Sequence, residues 1–277
     1  MTSLATRLAG AWRVWLRNFE SWKDFAVASL VGTVAEPLLF FAAMGFGLGR
    51  FVDEIQGQPY IAFLAPGLVA STAMNAASFE TTFGSFTRMN EQRTYEAIVM
   101  TPISVGEVVA GDILWAASKS LLAGGVILAF MLPLGLLAGP LAAAVLPLTF
   151  AVGIMFGALG MAYTAIAPSY TFFNYFFTLV IGVMFLFSGV FFPLEGLPAW
   201  VEWGAWFLPL THAVILMRAL TTGTIEPAMW VNAMWLALVT GRLRSSISTS
   251  PPARTGPRKA GPRIGSPVDT ADERRCR

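Results

Sequence analysis

TRMNEQRTYEAIVMTPISVGE, Thr87–Glu107, is the longest polar interval between two long apolar runs in this chain. Its first half reads as a helix. Asn90–Met100 holds good helix formers, with Glu91 and Arg93 on a polar side and Tyr95, Ile98 and Val99 available for contacts. Thr101-Pro102 stops that helix, because proline cannot continue it and restricts the residue before it. Ser104-Val105-Gly106-Glu107 has the spacing of a capping box that starts the next one. The expectation is a short capped helix between two apolar helices; the alternative is an ordinary loop with one helical turn.

The flanks decide the class. The chain has 277 residues, 56% hydrophobic and 12% charged, where a soluble domain carries roughly 25% charged residues. Mean hydropathy is +0.65, and several apolar runs exceed the ~18 residues that mark a membrane helix. An all-α polytopic membrane protein is expected. The N-terminus is amphipathic and lacks a cleavable signal peptide's short apolar core and small-residue cleavage site. Cys276 is the single cysteine and His212 the single histidine, so neither internal disulfides, nor a metal centre, nor a histidine-based catalytic set is expected. No G-x-x-x-x-G-K-[ST] phosphate loop occurs. Any ATP this protein uses is bound by another chain, and no cofactor or nucleic-acid partner is expected.

Residues 1–24 read as an amphipathic helix lying flat on the membrane. At 100° per residue, Leu4, Leu8, Trp12, Trp15, Phe19 and Trp22 share one sector, and Arg13, Arg17, Glu20 and Asp24 fall opposite. Tryptophan beside arginine suits the headgroup region. Ser21-Trp22-Lys23-Asp24 matches a capping box that turns the chain into the bilayer. A membrane domain over 25–241 follows, with spans at about 25–48, 60–84, 105–134, 141–167 and 171–192 and a sixth from near Ala228. Gly153-x-x-x-Gly157 permits close helix packing. The segment 193–218 is apolar but broken by Pro193, Pro198 and Pro209 and rich in tryptophan, which suits interfacial or re-entrant helices.

Basic residues near the spans set the orientation. Arg7, Arg13, Arg17, Lys23, Arg88 and Arg93 on one side face Arg50 and Arg218 on the other. The N-terminus and the 88–102 helix are therefore expected in the cytoplasm, and the re-entrant segment outside. The sixth apolar run stops at Val239-Thr240-Gly241, short of the ~20 residues a span needs. From Arg242 the chain is Pro, Gly, Ser and Arg, so 242–277 reads as a disordered basic tail. Either the last span is completed through Thr222–Ala228, or the sequence after about Thr240 departs from an ancestral one, as a frameshift produces; the second is favoured.

Glu36, Glu80, Asp112 and Lys119 lie in or near apolar helices, where an unpaired charge is costly. Glu36, Glu80 and Asp112 are candidates for a substrate path; the alternative is that they pair with neighbours and hold helices together. Lys119 stands two turns beyond Asp112, in reach of a carboxylate on another helix.

These residues resemble the ABC-2 type permeases, the membrane domains of one exporter class. YEAIVMTPIS at Tyr95–Ser104 looks like that family's coupling helix and its exit. SGVFFPLEGLPAWVEWGAWFLPLTHAV at Ser188–Val214 looks like its outer re-entrant signature. AEPLLFFAAMGFGLG, YIAFLAPG, WAASKSLLAG and APSYTFFNY look closer still to the nodulation protein J branch. The resemblance covers about residues 12–239. It implies two six-helix subunits, most simply a homodimer, docked on cytoplasmic ATPases in a bacterial inner membrane. It implies alternating access driven by ATP on the partner chain, with Glu91, Arg93, Tyr95 and Glu96 as contacts to it. The implied substrate is a lipo-chitooligosaccharide or another amphiphile such as a drug or polyketide. Two other readings stand beside it: a proton-coupled carrier using the same carboxylates as relays, and a membrane enzyme, for which no catalytic set is recognisable.

Overall fold

The computed structural model describes residues 4–52, 54–224 and 229–249. Helix α1 (Leu4–Lys23) runs unbroken through Ser21. The capping box expected at Ser21–Asp24 does not form. Ser21 is spent in the last turn of α1, and α2 (Ala26–Ala42) begins after Phe25 with no side-chain cap. Beyond α2 come a π-helical turn, Ala43–Gly47, and a 3-10 turn, Leu48–Arg50; Gly45, Gly47 and Gly49 make regular helix costly there. Strands β1 (Glu54–Ile55) and β2 (Gln58–Pro59) form a small antiparallel hairpin. Gln56 and Gly57 at its tip have φ of 52° and 73°, the left-handed pair that a type I′ turn requires.

Helix α3 (Tyr60–Phe79), a π-helical turn (Glu80–Gly84) and α4 (Ser85–Asn90) make one run of 31 residues. At 1.5 Å per residue it is about 46 Å long, against about 30 Å of hydrocarbon. Its α4 end therefore lies beyond the apolar layer when Tyr60 marks the other face. The short helix of the opening stretch is α5 (Thr94–Val99), not Asn90–Met100. Thr87–Asn90 closes the preceding helix, and Arg93, with φ 50°, turns the chain through the left-handed region. The capping box at α6 (Val105–Met131) does form. Glu107 Oε2 accepts from Ser104 N at 2.7 Å, and Ser104 Oγ accepts from Glu107 N at 3.4 Å.

A 3-10 turn, Pro140–Ala144, leads into α7 (Val145–Ile166). Helices α8 (Tyr170–Tyr175) and α9 (Gly182–Phe187) are joined by the π-helical turn Phe176–Ile181. The proline-broken segment forms α10 (Ala199–Trp206) and α11 (Pro209–Thr222), bent 86° to each other. Gly223, with φ 75°, ends α11, so the last span is not completed through Thr222; 225–228 lie outside the described residues. Helix α12 (Met229–Thr249) continues eight residues past the apolar run ending at Gly241. The expectation that order ends at Arg242 is thus corrected as far as Thr249; the rest of the tail lies outside the described residues.

Among the described residues five helical runs are long and apolar enough to cross a membrane, six if the bent pair is one span. Helix α12 is not among the five, because Arg242 and Arg244 replace the apolar residues a span needs. The protein is accordingly an all-α multi-pass membrane protein. Tyr60–Asn90 is 83% buried over its apolar window and forms the axis, packed by α6, α7 and α11; Ala26–Arg50, at 11%, is the most open. Gly153 lets α7 press on α6, where an added Cβ would stand 2.7 Å from the Ala117 Cα. Pro66 interrupts the backbone ladder of α3. Nearby, Arg218 of α11 donates to the Phe63 and Gly189 carbonyls at 3.2 and 2.9 Å and lies 3.7 Å over the Phe63 ring.

Candidate functional site

The charged residues of the middle spans gather at one end of the bundle, where α1, α4, α5 and α6 meet. Glu80 stands about 30 Å from Tyr60 along its helix, so it belongs to the boundary of the apolar layer and not to its centre. Its carboxylate bridges two cations: Arg88 Nη1 at 2.7 Å and Lys119 Nζ at 2.9 Å. A side chain eight residues along the same helix reaches back only if nothing stands between. Gly84 supplies that gap, since a Cβ there would lie 2.9 Å from Glu80 Oε1. The π-helical turn Glu80–Gly84 re-aims both partners.

Asp112 is the second anion, fully buried on α6. Asn18 of α1 donates to its Oδ1 at 2.6 Å, and Ser85 donates to its Oδ2 at 3.1 Å. Arg88 Nη2 lies 3.5 Å from the same oxygen. The Tyr95 phenol of α5 also donates to Oδ2. Burial, and next the Asp112 carboxylate, push the Tyr95 pKa well above its ordinary value, so it holds its proton. Arg17 donates to Asn18 Oδ1 at 2.6 Å; burial lowers its pKa, partly offset by the attraction of Asp112. On the far side Thr87 and Tyr170 share a 2.8 Å hydrogen bond, which adds α8 to the assembly.

The anions Glu80 and Asp112 thus balance Arg88 and Lys119. Each such group costs several kcal/mol when stripped of water alone, and the set is tolerable because its members satisfy one another. Helix α1 is held close by small residues. A Cβ on Gly111 would stand 2.6 Å from Val14 Cβ, and one on Gly10 2.8 Å from Glu107 Oε2. Trp15, Phe19 and Trp22 pack around Trp115, and Trp15 Nε1 donates to Ser118 Oγ at 2.9 Å.

The expected site residues separate accordingly. Glu91, Arg93 and Glu96 are exposed around α5. Tyr95 turns inward to Asp112, so an outward contact is corrected for it. Glu80 and Asp112 are occupied by ion pairs and donors. Glu36 stands apart: it is exposed on α2, about 15 Å from the Ala26 end of that span, and makes no ion pair among the described residues. The apolar sector expected for α1 is also revised. Ala11, Val14 and Asn18 dock on α6, while Leu8 and Trp12 of that sector are exposed. Asn18, Ser85 and Arg88 escaped sequence reasoning. The legible signals were glycines: Gly84 between Glu80 and Arg88, and Gly111 beside Asp112. Among the described residues no cluster of His, Cys, Asp and Glu is able to hold a metal ion.

Comparison with known proteins adds an independent finding. The profile of the family described as ABC-2 type transporter matches residues 10–221. Nodulation protein J of Rhizobium leguminosarum bv. trifolii is 41% identical over 228 residues, 82% of this chain and 87% of its own. Nodulation protein J of Bradyrhizobium diazoefficiens is 39% identical over 223 residues, 80% and 85% of the two chains. The inner membrane transport permease YadH of Escherichia coli K12 is 24% identical over 119 residues, 43% of this chain and 46% of its own. No solved structure matches.

Proposed function

This chain belongs to the ABC-2 type transporter family, and from that premise we propose that it is the permease subunit of an ATP-driven exporter of an amphipathic molecule in a bacterial inner membrane. The ATPase is a separate cytoplasmic chain, and a second copy of the permease completes the pore. The substrate is lipo-chitooligosaccharide-like or drug-like. The N-terminus and α5 face the cytoplasm, with α1 along the membrane surface and α10 and α11 at the opposite face. Glu91, Arg93 and Glu96 contact the ATPase; Glu36 borders the substrate path; Glu80 and Asp112 belong to the coupling machinery. The departure of the chain from a regular sixth span after about Thr240 remains part of this reading, and sequencing the coding region tests it.

The observation that carries the mechanism is the convergence of Tyr95, Asn18, Ser85 and Arg88 on Asp112. A partner that moves α5 pulls on Asp112 through Tyr95. The load passes to α6 through the Asp112 backbone, to α1 through Asn18 and to the α3–α4 run through Arg88. Such a device makes no bond and catalyses nothing: it shifts an equilibrium between two arrangements, to the extent that ATP-bound and ATP-free partners contact α5 differently. The proton-carrier alternative needs carboxylates able to exchange protons, and Glu80 and Asp112 are committed to cations and donors.

Affinity purification of the full chain in mild detergent tests the proposal. A stoichiometric phosphate-loop ATPase that hydrolyses ATP in the complex is expected. A folded chain without such a partner, whose export collapses with a protonophore, overturns it in favour of the carrier.

A further inference from the structure

Glu80 and Asp112 balance Arg88 and Lys119, which leaves a third cation beside the cluster without an anion. Arg17 makes no ion pair among the described residues. Its Nη2 donates to Asn18 Oδ1 at 2.6 Å, while its Nη1 is buried and has no hydrogen-bond partner. A buried donor left unmet is costly, the more so on a charged group. Asp112 attracts this guanidinium, Arg88 repels it, and the Tyr95 phenol is the next group to act on it. Arg17 therefore stands beside the Tyr95–Asp112 bond. A single amide separates it from the carboxylate, because Asn18 accepts from Arg17 and donates to Asp112 Oδ1 at 2.6 Å.

Asp112, for its part, has no cation to itself. Among the described residues Arg88 alone comes within 4.0 Å, at 3.5 Å, and that guanidinium is already spent. Its Nη1 is on Glu80 at 2.7 Å and its Nη2 donates to Ser85 Oγ at 3.2 Å. Lys119 is held by the other Glu80 oxygen. Asp112 rests instead on three neutral donors, Asn18, Ser85 and Tyr95. Asn18 and Ser85 belong to long helical runs. Tyr95 belongs to the six-residue α5 and is the donor that a moving α5 takes away. Its departure leaves Oδ2 short of a donor in a buried site, where an uncompensated charge is costly. Arg17 has the donor to spare. A guanidinium presents five N–H groups in a planar fork that fits a carboxylate.

We propose that Arg17 is the second partner of Asp112: when α5 draws Tyr95 away, the Arg17 guanidinium swings past Asn18 and closes on the vacated oxygen. The network then has two satisfied arrangements in place of one satisfied and one broken, which is what makes a packed junction a two-state element. Movement of α5 becomes the exchange of a neutral donor for a cation at one carboxylate, while α1 stays docked on α6 in both. The inference rests on the exporter reading and deepens it, by naming the residue that receives Asp112 in the second arrangement.

Amide hydrogen exchange of α1, measured on the full chain in phosphatidylcholine nanodiscs, tests the exchange of partners. Tyr95→Ala vacates the oxygen permanently. Alone it should leave α1 protected, because Arg17 takes over. Arg17→Met alone should also leave α1 protected, since the resting arrangement uses Arg17 only on Asn18. Together the two should speed exchange in α1 about tenfold, well beyond the product of the single effects. Arg17→Lys in place of Arg17→Met should restore most of the protection in the Tyr95→Ala chain. Arg13→Met, which removes an exposed cation one turn away, should change nothing there. Effects that simply multiply overturn the proposal. So does an equal loss from Arg17→Met with and without Tyr95, since Arg17 is then a fixed member of the network. Tyr95→Phe, which also frees the oxygen, carries the same cycle if Tyr95→Ala fails to fold. The measurement needs no ATP. Non-multiplying effects in a chain that binds no ATPase would sink the exporter reading and leave the exchange standing, and an ATPase partner with multiplying effects would do the reverse.

Discussion

Tyr95 on α5 donates its phenol hydrogen to Asp112 on α6, and the same carboxylate accepts Asn18 from α1. A six-residue helix is thereby fastened to two much longer ones through a single buried anion. A hydrogen bond to a charged group contributes about 1.5–3 kcal/mol, enough to transmit a bias and small enough to be broken.

Tyr95→Phe removes that bond and little volume. The expected result is a subunit that still assembles with its ATPase but whose ATP hydrolysis no longer drives export. Transport per ATP in proteoliposomes is the measurement, and coupling equal to that of the unaltered chain would dismiss the linkage. The bond also has a pH limit. Because the folded pKa of Tyr95 is raised above the unfolded value of about 10, its stabilisation is fully present below about pH 10. It is lost as pH climbs toward the folded value. Hydrogen exchange of α5 should therefore accelerate in alkali, and the Phe variant should lack that step.

Asp112→Ala is expected to be far more damaging, because it strands Arg88, Asn18 and Tyr95 in a buried site. Breaking a buried pair from one side costs about 3–5 kcal/mol, which should show as a lowered melting temperature and a lower level in the membrane. Lys119→Met should cost less, since Glu80 keeps Arg88 at 2.7 Å. Equal losses in the two variants would mean that the network is not centred on Asp112.

Gly111→Leu should detach α1 while leaving the spans folded, because even a Cβ there stands 2.6 Å from Val14 Cβ. Protease protection of residues 4–23 reads this directly. Unchanged protection would show that α1 is held from elsewhere.

Glu36→Gln tests the path. Export of an amphiphile should change severalfold with protein level and ATPase assembly intact, since no ion pair among the described residues depends on Glu36. Unchanged export would remove it from the path.

His212→Leu should loosen α12. His212 is fully buried, within 2.6 Å of Asn232 Oδ1 and 2.8 Å of the Trp206 carbonyl, and it stacks on Trp235 at 4.4 Å. All of these anchors precede residue 250, so a chain ending at Thr249 should melt like the full one. A large drop on shortening would assign the docking of α12 to the tail.

Much was legible in one dimension because it is written locally. Runs of apolar residues mark helices that must satisfy their own backbone in lipid. The Ser104–Glu107 box lies within one turn, and Pro198 and Pro209 stand at the starts of α10 and α11, where a helix tolerates proline. The Ser21 box failed because the same local signal was outweighed by the continuing helix of α1. The break at Arg93 was invisible because left-handed arginine has no strong sequence mark.

The sequence by itself thus determined the membrane class, the order of the spans, the short helix between two of them and the family. These follow from composition, periodicity and motif spacing, all of which act within a few residues. Only the tertiary structure decided what the charged groups do. Asn18 and Asp112, 94 positions apart, meet through a 2.6 Å bond. Glu80 pairs with Arg88 and Lys119, and Glu36 alone of the three carboxylates stays exposed. The reason is physical. A charge in a low-dielectric interior is governed by whichever partner the packing brings within ~4 Å, and that distance is set by helix crossings and absent side chains at Gly84 and Gly111, not by spacing along the chain.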